Sequence, residues 1–380
     1  MRIGVPKEIK TQEYRVGLVP LSVSTLVSLG HELFVETQAG VGSGFTDEDY
    51  QRAGAQIAKN AQEIFNNADL IVKVKEPQRE EYPLLKKGQV LFAYLHLASD
   101  LIQTKALLDS GVIAIAYETV SETISNNVQR LPLLAPMSEI AGRMSVQIGA
   151  HFLEKTQKGR GILLSGVPGV PAGNVIIIGG GSVGTNAARI ALGLKAHVTI
   201  IDRSLKRLQE LEDLFPSRIQ TVLSTSYSLN EYLMTCDLLI GAVLIPGAKA
   251  PKVITQDNIR HMKPGSVFVD VSIDQGGSSE TSRPTTQDQP TYLVDDVIHY
   301  CVTNIPSAVP RTSTLALNNA TLPYVIKIAQ EGYQKALLSY DDLKHGLNVY
   351  KGVLTNRAVA EAMDPKLGHS YVPPEIALHS

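Results

Sequence analysis

The stretch "NVIIIGGGSVGTNAARIALGLKAHVTIID", residues 174–202, contains the pattern that decides the fold of the middle of this chain. An apolar run precedes a glycine-rich turn, an alanine-rich segment follows, and a second apolar run ends in an acid. Gly179, Gly181 and Gly184 have the spacing that permits a tight turn, close approach of a pyrophosphate, and close packing of a helix on a strand. Asp202 ends the second strand, where a carboxylate accepts a hydrogen bond from a ribose 2′-hydroxyl. This stretch therefore predicts a dinucleotide-binding unit.

Two alternatives accompany this interpretation. The same glycines also fit a strand-to-helix turn that holds no ligand. Asp202 favours NAD over NADP because a carboxylate repels a 2′-phosphate, whereas the neighbouring guanidinium of Arg203 could accommodate that phosphate.

The size and composition of the chain limit the protein classes to consider. Its 380 residues exceed the length at which single cores stop growing, so two domains are expected. Hydrophobic residues make up 44% and charged residues 19%, as in ordinary enzymes. The net charge of −2 and the lack of basic clusters argue against nucleic acid as a partner and against a membrane surface.

The location of the protein is inferred from two further features. The start, "MRIGVPKEIK", has no long apolar run, so we expect no export signal. Cys236 and Cys301 form neither a disulfide framework nor a metal-type spacing. We therefore expect a cytoplasmic protein without a metal site.

The order of apolar runs predicts parallel sheets joined by helices. In the first part, the expected strands are "RIGV", "ELFVE", "DLIVKVKE" (69–76), "QVLFAYLHLA" (89–98) and "GVIAIAYE" (111–118). Residues 119–131 are polar, which predicts an exposed loop near a domain boundary. The middle part has six expected strands, the count of a dinucleotide fold, at 175–178, 197–201, 220–223, 237–242, 266–271 and 297–303.

The C-terminal part returns to a helical pattern, with a helix expected to begin at Pro323 and to pack back on the first domain. The predicted class is α/β with two doubly wound domains. The central one is a Rossmann domain at 133–310, and the other is formed by both chain ends, 1–132 and 311–380.

A nicotinamide dinucleotide takes part in hydride transfer, which also needs a base for the proton left behind. Three residues in the first part of the chain are candidates for such a site. His96 lies near the end of an apolar strand, and an imidazole can exchange protons near neutrality; a hydrogen-bonded core histidine is the alternative. The planar guanidinium of Arg15 could hold a carboxylate, although the residue taken alone favours a surface arginine. Lys75 shares a strand face with Lys73, which is also typical of a solvated face.

Polar residues also follow strands of the middle part. Asp270 and Asp274 lie in "VDVSIDQGG", and Asn304 lies in "VTNIPSAVPRTST". The carboxyl ends of parallel strands form the ligand edge of such sheets, but these residue types also cap helices and form turns.

Ordered motifs run over nearly the whole chain: "GVPKEIK", "EYRVGL", "KVKEP", "YLHLA", "IAYETV", "LPLLAPMSEIAGR", "KGRGILLSGVPGV", "GGGSVGTNAA", "IGAVLIPGAKAP", "VDVSIDQGG", "SRPTT" and "ALNNATLPYV". As a set, they resemble the alanine dehydrogenase family. Two local departures are a longer loop at 124–129 and Ser278 where a cysteine is frequent in the family. The resemblance implies a homohexamer with a central NAD domain and a substrate domain made from both chain ends.

The resemblance also implies an activity, the NAD-dependent reversible oxidative deamination of L-alanine to pyruvate and ammonium. Arg15 and Lys75 would hold the substrate, His96 and Asp274 would be catalytic, and Asp270 would be a structural neighbour. Together with the three glycines, the implied cofactor contacts are Ser138, Asp202, Arg207, Ser224, Val243, Leu244, Arg283 and Asn304. A transhydrogenase-like subunit and a non-catalytic NAD-binding oligomer are the rival functions.

Overall fold

The chain folds as two units in a computed structural model that describes residues 1–124, 128–243, 250–363 and 371–379. Met1–Pro136 and Val309–Ser380 form the terminal unit, and Met137–Ala308 form the central unit. Within the described ranges, no helix has the length and apolar character needed to cross a membrane.

The strands are short, with two to six residues each. In chain order they are β1 (Arg2–Val5), β2 (Glu32–Glu36), β3 (Gln56–Ala58), β4 (Leu70–Val72), β5 (Val90–Ala93), β6 (Ile113–Ala116), β7 (Glu122–Ile124), β8 (Val128–Arg130), β9 (Asn174–Ile178), β10 (His197–Asp202), β11 (Gln220–Leu223), β12 (Leu238–Gly241), β13 (Val267–Asp270), β14 (Thr291–Val294), β15 (Val297–Tyr300), β16 (Leu347–Tyr350) and β17 (Val353–Leu354).

Helices connect most of these strands. They are α1 (Pro20–Ser28), α2 (Asp47–Arg52), α3 (Ala61–Asn67), α4 (Leu101–Ser110), α5 (Ala135–Phe152), α6 (Ser182–Gly193), α7 (Leu205–Leu214), α8 (Ser226–Leu233), α9 (Gln256–Arg260), α10 (Pro310–Glu331), α11 (Tyr333–Ser339), α12 (Asp341–His345), α13 (Arg357–Ala362) and α14 (Pro374–Ala377).

The main sheet of the terminal unit has, in its described part, the strand order β17-β16-β6-β5-β4-β1-β2-β3. Strands β1 to β6 pair in parallel, whereas β16 and β17 from the C-terminal part join one edge in antiparallel pairing. Every residue of β4, β5 and β6 is buried, which explains their continuous apolar sequences. Both chain ends therefore contribute to one sheet.

The sheet of the central unit has, among the described residues, the order β11-β10-β9-β12-β13-β15-β14. Its first six members are parallel and follow the 3-2-1-4-5-6 order of a dinucleotide fold. With the parallel sheet of the terminal unit, this arrangement confirms the predicted α/β class. The seventh strand, β14, was not predicted. It pairs antiparallel with β15 through a tight turn at Asp295 and Asp296, which both have positive φ.

Three local predictions were wrong. Residues 119–131 include the antiparallel hairpin β7–β8, because short polar strands lack an apolar signature. Pro323 lies inside α10, and it is Pro310 that occupies the first turn of that helix. The strands expected at 69–76 and 89–98 end at Val72 and Ala93, so Lys75 and His96 lie beyond the strand ends.

Candidate active site

One edge of the terminal sheet collects the predicted substrate-binding residues. Strands β1, β4 and β5 are neighbours and parallel, so the segments that follow them start at the same edge. Arg15 follows β1, Lys75 follows β4 and His96 follows β5. The segments that contain these three residues, which are far apart in sequence, thus all start at the carboxyl edge of one sheet.

Arg15 is a buried residue with only 2% of its surface exposed. Its Nε and Nη2 atoms donate to Oε1 and Oε2 of Glu13, each over 2.6 Å. The surface-arginine alternative is therefore wrong. The carboxylate holds the guanidinium plane in one orientation, which is how a fork can be presented for bidentate recognition.

Lys73 and Lys75 do not form a solvated face. Lys73 is fully buried, and its Nζ lies 2.7 Å from Oε1 of Glu81 and 3.3 Å from Oε2 of Glu8. Lys75 is partly buried, and its backbone N–H donates to Oε1 of Glu8 over 3.3 Å. The solvated-face alternative assumed that exposed and buried residues continue to alternate beyond β4. Lys73 is instead enclosed by Glu8 and Glu81, which come from other parts of the chain.

The Glu8 carboxyl at this edge has a raised pKa. Burial raises the pKa of the Glu8 carboxyl to about 7, although the positive charge of Lys73 opposes that rise. The charges of Glu81 and Glu13 raise the pKa further. No sequence pattern predicted a role for Glu8, Glu13 or Glu81. Their only sequence signal is that each lies in or near a motif that also contains a candidate cation.

His96 is not a core histidine. Its side chain is 48% exposed, and its ring lies parallel to that of Tyr94, with 6.0 Å between the ring centroids and 3° between the planes. The backbone of His96 is left-handed, with φ 50° and ψ 39°. Such conformations are uncommon outside glycine and occur at functional sites when the surroundings hold them.

In the central unit, the three glycines of the turn have different surroundings. Gly179 has φ 102°, and a Cβ there would lie 2.5 Å from the carbonyl oxygen of Ala242. A Cβ at Gly184 would lie 1.9 Å from the carbonyl oxygen of Gly179. At Gly181, by contrast, a Cβ would meet no protein atom within 4 Å. Two glycines are needed for the turn itself, whereas the open space at Gly181 fits a pyrophosphate.

Asp202 and Arg207 hold the glycine turn from the neighbouring strand and helix. The Asp202 carboxylate accepts from the backbone N–H of Gly180 over 2.7 Å and from that of Ser204 over 2.8 Å. Arg207 Nε donates to the carbonyl of Gly180 over 2.7 Å. Ser224 joins this group because its N–H donates to the carbonyl of Asp202 over 2.9 Å.

Asp274 and Asn304 follow two neighbouring strands of the central sheet, β13 and β15. Asp274 is exposed on the 3-10 helix that follows β13, and its Oδ1 accepts from the backbone N–H of Asn304 over 3.1 Å. Asn304 follows β15 and has a left-handed backbone, with φ 60°. These two adjacent segments leave the Asp274 carboxylate exposed.

Asp270 is fully buried and organises the loop that contains Asp274. It accepts hydrogen bonds from the backbone N–H of Ser272 (3.1 Å) and of Ser278 (2.7 Å), and from the hydroxyls of Ser278 (2.9 Å) and Ser282 (2.5 Å). Burial raises the pKa of this carboxyl, and the donors from Ser282 and Ser278 act against that rise. The hydroxyl of Ser278, one of the two local departures from the family resemblance, thus binds Asp270.

The remaining predicted contacts differ in their placement. Val243 follows β12, and its carbonyl accepts from the Ser272 hydroxyl over 2.8 Å. Leu244 lies outside the described residues. Ser138 lies in the first turn of α5, and Arg283 is exposed with its guanidinium carbon 4.3 Å from the centre of the Tyr292 ring.

No His, Cys, Asp or Glu side chains among the described residues form a group of three or more that could hold a metal ion.

Comparison with known proteins decides the family. The family model for the alanine dehydrogenase/PNT N-terminal domain matches residues 4–141, and that for the C-terminal domain matches residues 145–357. The chain belongs to the alanine dehydrogenase/PNT family. The resemblance read from the sequence motifs is therefore confirmed.

Individual members of the alanine dehydrogenase/PNT family match over 95% or more of the chain. An alanine dehydrogenase of Halomonas elongata is 57% identical over 362 residues, which cover 95% of this chain and 96% of that protein. Alanine dehydrogenase 2 of Staphylococcus aureus is 55% identical over 380 residues, which cover 100% of both. A solved L-alanine dehydrogenase structure matches with a TM-score of 0.92 and 53% identity, covering 97% of this chain and 100% of that one.

Proposed function

We propose that this protein is an NAD-dependent L-alanine dehydrogenase. In the forward direction, L-alanine, NAD⁺ and water give pyruvate, ammonium, NADH and a proton. The observation that carries the proposal is the sheet edge at which Arg15, Lys75 and His96 follow three neighbouring strands. This edge occurs in a chain that is 55% identical to an alanine dehydrogenase over its entire length.

The central unit supplies groups that fit a dinucleotide. Open space at Gly181 and the N-terminal amides of α6 suit the pyrophosphate, and the Asp202 carboxylate suits a ribose hydroxyl. Bound at these groups, NAD would supply the acceptor for the hydride that leaves Cα of alanine. The residues we propose as its contacts are Ser138, Gly179, Gly181, Gly184, Asp202, Arg207, Ser224, Val243, Leu244, Arg283 and Asn304.

The terminal unit supplies substrate binding and proton exchange. The fork of Arg15, oriented by Glu13, binds the substrate carboxylate together with Lys75, and this positioning lowers the entropic cost of the reaction. His96 takes a proton from the water that adds to the substrate carbon, and it returns protons as the amine leaves. Asp274, exposed in the central unit, assists proton transfer at the amine.

Two rival functions are weaker. A transhydrogenase-like subunit is not favoured, because the full-length identity of 55% to 57% is to alanine dehydrogenases. A non-catalytic NAD-binding oligomer need not retain Arg15, Lys75, His96 and Asp274, yet all four are present.

Domain limits, assembly and location complete the proposal. We assign the NAD-binding domain to 133–310 and the substrate domain to 1–132 with 311–380. By resemblance we propose a homohexamer, which light scattering of the purified protein tests. A cytoplasmic location rests on cysteine usage, since Cys236 and Cys301 are both free and buried. Cell fractionation tests that location.

The decisive experiment follows reduced nicotinamide by its absorbance when purified protein meets L-alanine with NAD or with NADP. Alkaline pH favours this direction because the reaction releases a proton. We expect turnover with NAD, and in His96→Ala a kcat lowered by about 10²- to 10⁴-fold but still measurable, with NADH binding retained. NADH binding without turnover would instead support the non-catalytic oligomer, and hydride exchange between two nucleotides would support the transhydrogenase-like subunit.

A further inference from the structure

The left-handed backbone at His96 turns two successive N–H groups towards one acceptor. The N–H of His96 donates to Oε1 of Glu118 over 2.6 Å, and the N–H of Leu95 donates to Oε2 of the same carboxylate over 3.2 Å. Successive amides in such a bend form a concave site for an anion. The Glu118 carboxylate is the anion that occupies it here.

Glu118 reaches this site from the neighbouring strand. It lies on the 3-10 helix Tyr117–Thr119, which follows β6, and β6 pairs in parallel with β5. The last residues of these strands, Ala93 and Ala116, are register partners. The carboxylate is therefore attached to a buried sheet, and its side chain is only 14% exposed, compared with 48% for His96.

The same carboxylate also faces the imidazole. Oε1 of Glu118 lies 4.0 Å from Nδ1 of His96, and the ring of Tyr94 lies parallel to the imidazole. Tyr94 is itself anchored, since it is buried and its hydroxyl donates to the carbonyl of Leu133 over 2.5 Å. A carboxylate at this distance attracts the positive charge that the imidazole carries after it accepts a proton.

We propose that Glu118 is a positioning residue for His96. Its carboxylate maintains the left-handed backbone that presents the imidazole, and its charge stabilises the protonated ring during turnover. This inference rests on the proposed function, in which His96 exchanges protons with the substrate. Neither the sequence motifs nor the family resemblance assigned a role to Glu118.

The test is a double-mutant cycle on the full-length enzyme with Glu118→Ala, His96→Ala and the combined variant. We expect Glu118→Ala to lower kcat about 10- to 100-fold, a typical loss for an outer residue that orients an active group. KM for L-alanine and Kd for NADH should change less than about twofold, because other residues bind these molecules. In the His96→Ala background, Glu118→Ala should cause no further loss, because its effect passes through the imidazole.

Glu118→Gln keeps an oxygen that can accept from a backbone N–H but removes the charge beside the imidazole. Its kcat should lie between those of wild type and Glu118→Ala. The same cycle with Glu118→Gln serves if the alanine variant does not fold. Glu122→Gln is the matched control, since that carboxylate accepts from the Tyr324 hydroxyl over 3.4 Å instead. It should retain the wild-type kcat.

The outcomes separate this inference from the proposed function. Unchanged kcat in Glu118→Ala, or an equal loss in the presence and absence of His96, would overturn the role of Glu118 alone. Full activity in His96→Ala would overturn the proposed role of the histidine itself. A loss confined to NADH affinity would also count against positioning of His96.

Discussion

Arg15 and Glu13 form a buried bidentate ion pair, with two N–O distances of 2.6 Å and at most 1% of either side chain exposed. Only one residue separates them in sequence, so the pair also constrains the local backbone. Removing the partner of a buried charge lowers the free energy of unfolding, so the role of Glu13 can be tested by stability as well as by activity.

We predict that Glu13→Gln destabilises the protein by about 3–5 kcal/mol, because it removes the carboxylate that pairs with the buried guanidinium in two hydrogen bonds. KM for L-alanine should rise because the fork loses its fixed orientation. Urea denaturation and initial-rate kinetics measure the two effects. Asp69→Asn, which removes the exposed partner of Arg2, is the control and should change neither. Equal stability of Glu13→Gln and wild type would contradict the prediction.

The glycine turn allows packing to be separated from ligand binding. We predict that Gly184→Ala weakens both folding and NADH affinity, because its Cβ would lie 1.9 Å from a backbone oxygen and helix α6 would have to move. Gly193→Ala, in open space at the end of the same helix, should instead stabilise by about 0.5–1 kcal/mol. Thermal denaturation and NADH fluorescence titration measure both variants. A Gly184→Ala protein as stable as Gly193→Ala would refute this packing argument.

Gly181→Ala should behave differently from both. Its Cβ would meet no protein atom within 4 Å, and its φ of −66° is accessible to alanine, so stability should stay within about 0.5 kcal/mol. NADH affinity should fall at least about tenfold if the pyrophosphate approaches this backbone. Unchanged affinity, measured by the same titration, would mean that the phosphates bind elsewhere.

Glu8 predicts a pH dependence of stability. Burial raises the pKa of its carboxyl from 4.5 to about 7, so the folded state binds more protons than the unfolded state between these values. The contribution of Glu8 to the free energy of unfolding must therefore fall as pH rises from about 4.5 to about 7. Glu8→Gln has no such titration. The free energy of unfolding of Glu8→Gln minus that of wild type should therefore rise by up to about 3 kcal/mol as the pH increases from about 5 to about 8.

Urea denaturation of both proteins across this pH range measures the difference. Glu212→Gln changes an exposed acid on α7, and its free energy of unfolding should differ from that of wild type by the same amount at every pH. A pH-independent difference for Glu8→Gln as well would show that Glu8 is ionised throughout.

Local sequence was sufficient for the outline of the fold. The apolar runs and the glycine turn at 174–202 predicted a Rossmann domain with six strands, because buried strands and tight turns are determined by patterns a few residues long. The strand order was read from the structure. Strand β14 and the β7–β8 hairpin were missed because short, partly exposed strands lack such a pattern. Pro323 was misread because helix α10 continues through it, packed by residues on either side.

The sequence by itself determined which residue types are available at the ends of strands, and so identified Arg15, Lys75 and His96 as candidates. Only the tertiary structure decided what surrounds them. Lys73 meets Glu8 across 65 residues of chain, and His96 meets Glu118 across 22. Neither pairing has a local signature, because the state of a charge depends on the partners and burial that sheet packing provides. The sequence gives the identity of each side chain, whereas its partners and burial depend on residues that are distant in sequence.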